Sequence, residues 1–392
     1  MKFDKISRFA KVSAVSLAMV LGLSSCSLDY VVGYVYVTTA KTGVINQYSI
    51  DFQSGALAPL GTPVQAGNNP VRLVASPTGQ FVYVVNQGDS TVQEFAVQSN
   101  GTLISKNTYP TGKTPTAIAI DPQGKFLYVT FLYQTGTSGP GGVSIFPVNA
   151  DNSLGTALTQ PVGLNPVGVN VSYFNHFVYV LDQEPSPNAK ILGFSQNTTT
   201  GALTPVPGTT VTGSGASTVT TGYAAGVTPS AIAEELTARF IYVTDQAANQ
   251  LIGYTVQANG SLVPMINGPF STGLFPIYLT IDPTGKLIYV VNYNANTVQG
   301  YAIDSITGTP SGSVGAFATP LGAGPTCVTI DPSLGTFLYT SDTLDNTVTG
   351  ERLTPNTGAL AAVQNSPFPA AGQPTCLTAV PNGSHASQII TP

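Results

Sequence analysis

The sequence predicts an all-β chain folded as one closed seven-bladed β-propeller of four-stranded antiparallel blades. Three observations carry this expectation. An aromatic-apolar tetrad recurs seven times, as Tyr34-Val35-Tyr36-Val37, Phe81-Val82-Tyr83-Val84, Phe126-Leu127-Tyr128-Val129, Phe177-Val178-Tyr179-Val180, Phe240-Ile241-Tyr242-Val243, Leu287-Ile288-Tyr289-Val290 and Phe337-Leu338-Tyr339-Thr340. Its tyrosines stand 45 to 51 residues apart, except for one interval of 63, which is the period of a four-stranded propeller blade. β-Branched and aromatic residues alternate with polar ones, and the helical spacing of apolar residues is missing. The first and last repeats are each incomplete, and each supplies what the other lacks.

In chain order, residues 1–25 read as a signal peptide, because Lys2, Lys5, Arg8 and Lys11 precede an apolar run over residues 12–23 that is shorter than the roughly 20 residues a spanning helix needs. The run ends in Leu23-Ser24-Ser25-Cys26, which resembles a lipoprotein signal-peptidase site and makes Cys26 the expected lipidated residue. The plain alternative is an ordinary cleaved signal with an incidental cysteine. Ser27 at the following position points to the outer membrane, with residues 26–32 as a short linker, residues 33–381 as the propeller and residues 382–392 as a tail.

Only 8% of residues are charged, Trp is absent, and the net charge is -5. A chain with no basic stripe has nothing to displace counterions from phosphates, so nucleic acid is excluded as a partner. With Cys26 assigned to lipid, Cys327 and Cys376 remain, too few for a disulfide framework. Stability is therefore expected from core burial in a monomer.

Each full repeat opens with Pro and a short strand A, as in Pro115-Thr116-Ala117-Ile118-Ala119-Ile120, followed by a turn such as Asp121-Pro122-Gln123-Gly124. The tetrad strand is B, a segment such as Thr91-Val92-Gln93-Glu94-Phe95-Ala96-Val97 is C, and D begins as at Leu103 after Asn100-Gly101, each connection carrying a hairpin signal. The first repeat lacks A, whereas residues 374–381 form an A strand with nothing after it. A three-plus-one clasp of the two ends closes the ring and removes the free sheet edges; an open array of modules would not need complementary halves.

The repeat over residues 276–292, Pro-x-x-apolar-x-apolar-Asp-Pro-x-Gly-Lys with apolar-Tyr-Val-x-Asn, resembles the lactonase-family propellers, which include the propeller type of 6-phosphogluconolactonase, and the YVTN-repeat surface proteins. The resemblance covers residues 33–381 and implies a ligand site on the rim shared by the D-to-A and B-to-C loops. Members of that family often carry His or Arg two residues after the leading Pro; here those positions are Arg72, Ala117, Gly168, Ala231, Tyr278, Cys327 and Cys376. The two histidines, His176 and His385, fall in or after A-to-B turns on the other rim. The carboxylates Asp182, Glu184, Asp245 and Asp342, with Asn86 and Asn292 in equivalent places, end the B strands or follow them, where Asx side chains commonly cap a loop.

No cofactor is implied. A calcium site of about six to eight oxygens would find only a fragment in Asp342, Asp345 and Asn346, and zinc has no spaced ligand cluster. Cys327 and Cys376 share a position in neighbouring blades, which leaves a disulfide across the clasp open if their Cα atoms come within about 7 Å. Two insertions, residues 131–142 and 208–226, enlarge the candidate rim, where Tyr133, Tyr223, Tyr278 and Tyr293 offer aromatic contacts and Arg72 a fork for a carboxylate or phosphate.

Three functions remain in view. The leading one is a lipid-anchored propeller that binds a sugar-like or lactone ligand, or an envelope protein, at the D-to-A rim. The second is a lactone hydrolase in which Arg72 orients the substrate and Asp182 or Glu184 activates water. The third is a structural component of the envelope.

Overall fold

The computed structural model describes residues 31–383 apart from 185–188, 213–218 and 355–356. The signal segment, Cys26 and His385 lie outside the described residues. Seven sheets of mostly four antiparallel strands follow one another, each ordered A-B-C-D from the inside out, and no described residue is in a helix. The A strands are Pro70–Ala75, Lys113–Ile120, Pro166–Val171, Pro229–Glu234, Pro276–Ile281, Pro325–Ile330 and Pro374–Pro381. Each neighbours the next, and the last neighbours the first, so they surround one axis.

The clasp forms as the half-repeats require. Val31–Thr39, the B strand of blade 1, pairs on one side with its C strand Val44–Asp51 and on the other with Pro374–Pro381, placing Gly33 opposite Pro381 and Val37 opposite Leu377. Thr375, at the start of the C-terminal strand, donates its hydroxyl to the Pro70 carbonyl of blade 2 at 2.7 Å. The equivalent bonds Thr116 to Pro166, at 2.7 Å, and Ser230 to Pro276, at 2.8 Å, tie other A strands to their successors. A disulfide joins Cys327 to Cys376, whose Cα atoms are 4.9 Å apart, linking the A strands of blades 7 and 1.

The B strands are apolar on both faces because each sheet is covered by a blade on either side, unlike a sheet with one wet face. Among the described residues the buried apolar side chains fall into seven clusters, one at each blade interface. The repeated tyrosine has a second task. Its hydroxyl reaches the next blade's C-to-D turn and donates to a backbone carbonyl: Tyr36 to Gly101, Tyr83 to Asn152, Tyr128 to Gly201, Tyr179 to Gly260, Tyr242 to Gly308, Tyr289 to Gly358 and Tyr339 to Gly55, at 2.6 to 3.0 Å. The last of these crosses from blade 7 to blade 1, so the hydrogen-bond girdle is closed. The accepting residues all have positive φ, which explains six glycines and one asparagine there.

Candidate functional site

At the D-to-A rim the residue three places after each repeated tyrosine is buried, and in blades 2, 4 and 5 it works on the loop that precedes its own A strand. Asp182, fully buried at the end of its B strand, accepts the backbone N–H of Leu164 at 3.1 Å and of Asn165 at 2.7 Å. Asp245 accepts Val227 N–H at 2.7 Å and Thr228 N–H at 2.9 Å, and Asn86 accepts Gly67 N–H at 3.2 Å. Asp342 takes hydroxyls instead, from Thr349 at 2.6 Å and Thr340 at 3.0 Å. A glycine lies over each of these groups: a Cβ on Gly163 would stand 2.5 Å from Asp182 Oδ2, and on Gly226 2.2 Å from Asp245 Oδ2. The capping expectation holds in part, since Asp245 also accepts the Ala248 N–H of the following loop at 3.4 Å, but the shorter bonds of Asp182 and Asp245 go to amides 17 and 18 residues back along the chain.

Burial without a cation pushes the Asp182 carboxyl up to about 7, with neighbouring Glu184 adding to the rise. Burial likewise moves Asp342 up to about 6. Glu184 is engaged with Lys190 Nζ at 3.4 Å and accepts the Thr220 hydroxyl at 2.8 Å. Thr220 belongs to the 208–226 insertion, which is no open loop: Thr210–Thr212 and Val219–Thr221 form a hairpin, and Tyr223–Ala224 adds to the C strand Lys190–Gln196. Tyr223 thereby packs near Tyr254, with ring centroids 6.5 Å apart. Tyr133 continues the B strand of blade 3 and pairs with Lys113, whereas Tyr293 sits near Phe275, with ring centroids 6.1 Å apart.

The channel itself holds a different pair. Arg72 projects from the third position of its A strand over the ring of Tyr278, four blades on, with the guanidinium carbon 5.1 Å from the ring centroid. This is cation–π distance. Its Nη1 donates to the Val71 carbonyl at 3.1 Å, and among the described residues Arg72 forms no ion pair. Burial pulls its pKa below the ordinary value, opposed by Tyr278, but guanidinium remains charged in proteins. The surrounding wall is Ala117, Gly168, Ala231, the aliphatic residues next to them and Ser230, around a cavity of about 50 Å³. Arg72 and Tyr278 are therefore brought together, whereas Asp182, Glu184, Asp245, Asp342, Tyr133, Tyr223 and Tyr293 are not among the residues lining that cavity.

The calcium fragment is spent on the fold. Asp342 is bound to threonine hydroxyls, Asp345 accepts Ala323 N–H at 2.6 Å, and Asn346 accepts Gln373 N–H at 2.7 Å. No group of three or more His, Cys, Asp or Glu gathers among the described residues, so this donor set does not fit a calcium ion. His176 lies in the A-to-B turn of blade 4, on the rim away from Arg72.

The sequence model described as "Lactonase, 7-bladed beta-propeller" matches residues 34–166 and 188–330. A 6-phosphogluconolactonase of Pectobacterium carotovorum is 30% identical over 145 residues, 34% of this chain and 41% of that protein; the matched part is less than half of the relative's length. Among solved structures, a Bacteroides uniformis protein provisionally described as a 6-phosphogluconolactonase superposes with a TM-score of 0.73 at 20% identity, over 90% of this chain and 100% of that one. The periplasmic gluconolactonase of Pseudomonas aeruginosa gives 0.70 at 18% identity, over 89% and 99%. With more than half of its residues matched by that family's sequence model and the ring closed through seven blades, the chain belongs to the lactonase family of seven-bladed β-propellers.

Proposed function

We propose that the chain is a lipid-anchored extracytoplasmic binding protein that takes an anionic sugar acid or lactone at the D-to-A and B-to-C rim, its acidic group reaching Arg72. The observation that carries this reading is a guanidinium set in a mostly aliphatic channel wall, stacked on Tyr278 and, among the described residues, without a carboxylate partner. A buried charge is costly unless paired, and a ligand carboxylate or phosphate is the group that pairs with guanidinium in a fork. The cavity of about 50 Å³ has room for a few waters, at about 10–15 Å³ each, or a small anionic head. The sugar ring would therefore stay at the rim. The names of the relatives, 6-phosphogluconolactonase and gluconolactonase, concern lactones of sugar acids.

Kinship also favours a second reading, lactone hydrolysis. In it a carboxylate must activate water, yet Asp182 is fully buried with both oxygens on backbone amides and Glu184 is tied to Lys190. Binding is the better-supported function.

The test is calorimetric titration of the purified protein with 6-phosphogluconate and gluconate, beside turnover assays on the corresponding lactones. Binding that weakens by about ten- to a hundredfold in Arg72→Ala, as expected for a lost charge-assisted pair, with lactone decay at the spontaneous rate, supports the proposal. Unchanged affinity in Arg72→Ala overturns it, and protein-dependent lactone decay would establish the second reading. The anchor is tested apart: Cys26→Ser should move the protein out of the membrane fraction.

A further inference from the structure

The described chain enters and leaves the ring on one rim. Val31, the first described residue, opens the B strand of blade 1, and Asn382, just after the A strand of that blade, donates its side-chain amide to the Val31 carbonyl at 2.8 Å. Both stand on the A-to-B rim, away from Arg72. A recess of about 400 Å³ opens at this end of the channel, its wall including Pro77, Pro122, Val171, Tyr173, Pro332 and Pro381. In blade 4 the A-to-B turn reads Ser172-Tyr173-Phe174-Asn175, and Tyr173 and Phe174 are 40% and 43% exposed, their rings edge to face at 5.0 Å. Ile306, in the C-to-D turn of blade 6 on the same rim, is 84% exposed.

Exposed apolar side chains alone do not choose a face, since Leu274 and Leu344 stand 59% and 60% exposed on the D-to-A and B-to-C rim. Chain length does. The steps from Cys26 to Val31 reach at most about 18 Å when fully extended. The far rim lies a B strand away, and Val31–Thr39 rises by about 26 Å at roughly 3.3 Å per residue. A lipid on Cys26 therefore reaches beyond the A-to-B rim and cannot reach beyond the other. The acids of the A-to-B turns, Asp121, Glu235, Asp282 and Asp331, are buried on groups of their own turns. Lys125, Lys286 and Arg239, the last 3.9 Å from Glu235, are exposed there, while the exposed acids Asp151 and Asp304 sit on the C-to-D turns further from the axis.

We propose that the A-to-B rim lies flat on a phospholipid bilayer, with Tyr173 and Phe174 in the headgroup boundary and the Arg72 rim turned to solution. This rests on the lipid anchor proposed above and adds its orientation. Aromatic rings favour that boundary, where an apolar body meets acyl chains while the tyrosine hydroxyl stays wet. Lys125 and Lys286 can meet lipid phosphates from the same plane. Blade 4 lies across the ring from blade 1, so the tether before Val31 and the aromatic contact act on opposite sides and hold the ring flat rather than on edge. The recess behind Tyr173 is then covered by lipid, and a solute enters the channel from the Arg72 rim.

The chain has no Trp, so Phe174→Trp places a single indole on this rim and Leu344→Trp a single indole on the other. The full chain, purified with its lipid, is reconstituted on vesicles of phosphatidylcholine and phosphatidylglycerol. Flotation measures attachment, and quenching of the indole by lipids brominated on their acyl chains measures depth. Phe174→Trp should float, shift its emission to the blue and be quenched at least about twofold, as a side chain seated about 5–10 Å into the boundary is, while Leu344→Trp floats unquenched. Phe174 is exposed and is replaced by another ring, so the fold stands; Tyr173→Trp serves in its place if the melting temperature falls. Flotation without quenching on the A-to-B rim, the result also expected of a ring standing on edge at blade 1, overturns the orientation and leaves the anchor intact. Equal quenching of Leu344→Trp overturns it as well. Failure to float overturns the anchor and the orientation together.

Discussion

Tyr339→Phe is the sharpest perturbation of the ring, because it deletes a single oxygen at the junction of the chain ends. The Tyr339 hydroxyl is fully buried and donates to the Gly55 carbonyl at 2.8 Å, joining blade 7 to blade 1. Phenylalanine keeps the ring contacts with the apolar cluster around Val35, Val348 and Leu377 but leaves that carbonyl dry and unpaired. The expected loss is about 1–3 kcal/mol. With an unfolding entropy of about 2.1 cal/mol/K per residue over roughly 350 residues, this lowers Tm by about 1.5–4 °C. Differential scanning calorimetry measures it, with Tyr128→Phe as a reference far from the junction, since Tyr128 makes the same bond to Gly201 at 3.0 Å. The two variants should fall by similar amounts. A Tyr339→Phe protein as stable as the parent, beside a weakened Tyr128→Phe, would refute the closed girdle.

Further outcomes follow from the buried carboxyls, the glycines and the channel cation. Burial raises Asp182, Glu234 and Glu351 to about 7 and Asp342 to about 6, so the folded chain holds more protons than the unfolded one between about pH 4 and 7 and stability must fall as pH rises through that window. Melting temperature should accordingly be higher at pH 5 than at pH 8, with Asp342→Asn flattening the slope; a profile rising from pH 5 to 8 would contradict the assignment. Gly226→Ala, at φ +91° and 2.2 Å from Asp245 Oδ2, should cost roughly 2–4 kcal/mol in urea titration, and a neutral effect would show that the loop does not lie over the carboxylate. Arg72→Met should leave stability unchanged or higher, because among the described residues the cation has no charged partner to lose; a drop of more than about 2 kcal/mol would mean that a counter-charge exists.

The fold was legible because its signal is periodic. Seven tetrads, and an orphan A strand at residues 374–381, leave little choice of topology, and the pairing of Tyr36 with Thr378 follows that logic. The candidate site was less legible for physical reasons. A repeat tells which residues share a position but not what faces them across a channel, so Arg72 was readable as a rim cation while its partner Tyr278 was not readable as the ring beneath it. Asp182 and Asp245 looked like caps of the following loops because local spacing suggests Asx-turns; Asp245 does accept the Ala248 N–H there, but both hold their shorter bonds to amides that lie back across the blade. The 208–226 insertion carries no strong strand pattern and still folds into a hairpin held by Lys190, Glu184 and Thr220.

The central claim, that the C-terminal strand completes blade 1, is tested most directly by native-state hydrogen exchange over residues 34–38. In the full chain these amides should exchange only by global unfolding, together with those of residues 377–380. Deleting residues 374–392 should raise their exchange by about a hundredfold or more, or abolish cooperative folding. Equal protection of residues 34–38 with and without the C-terminal strand would contradict the account.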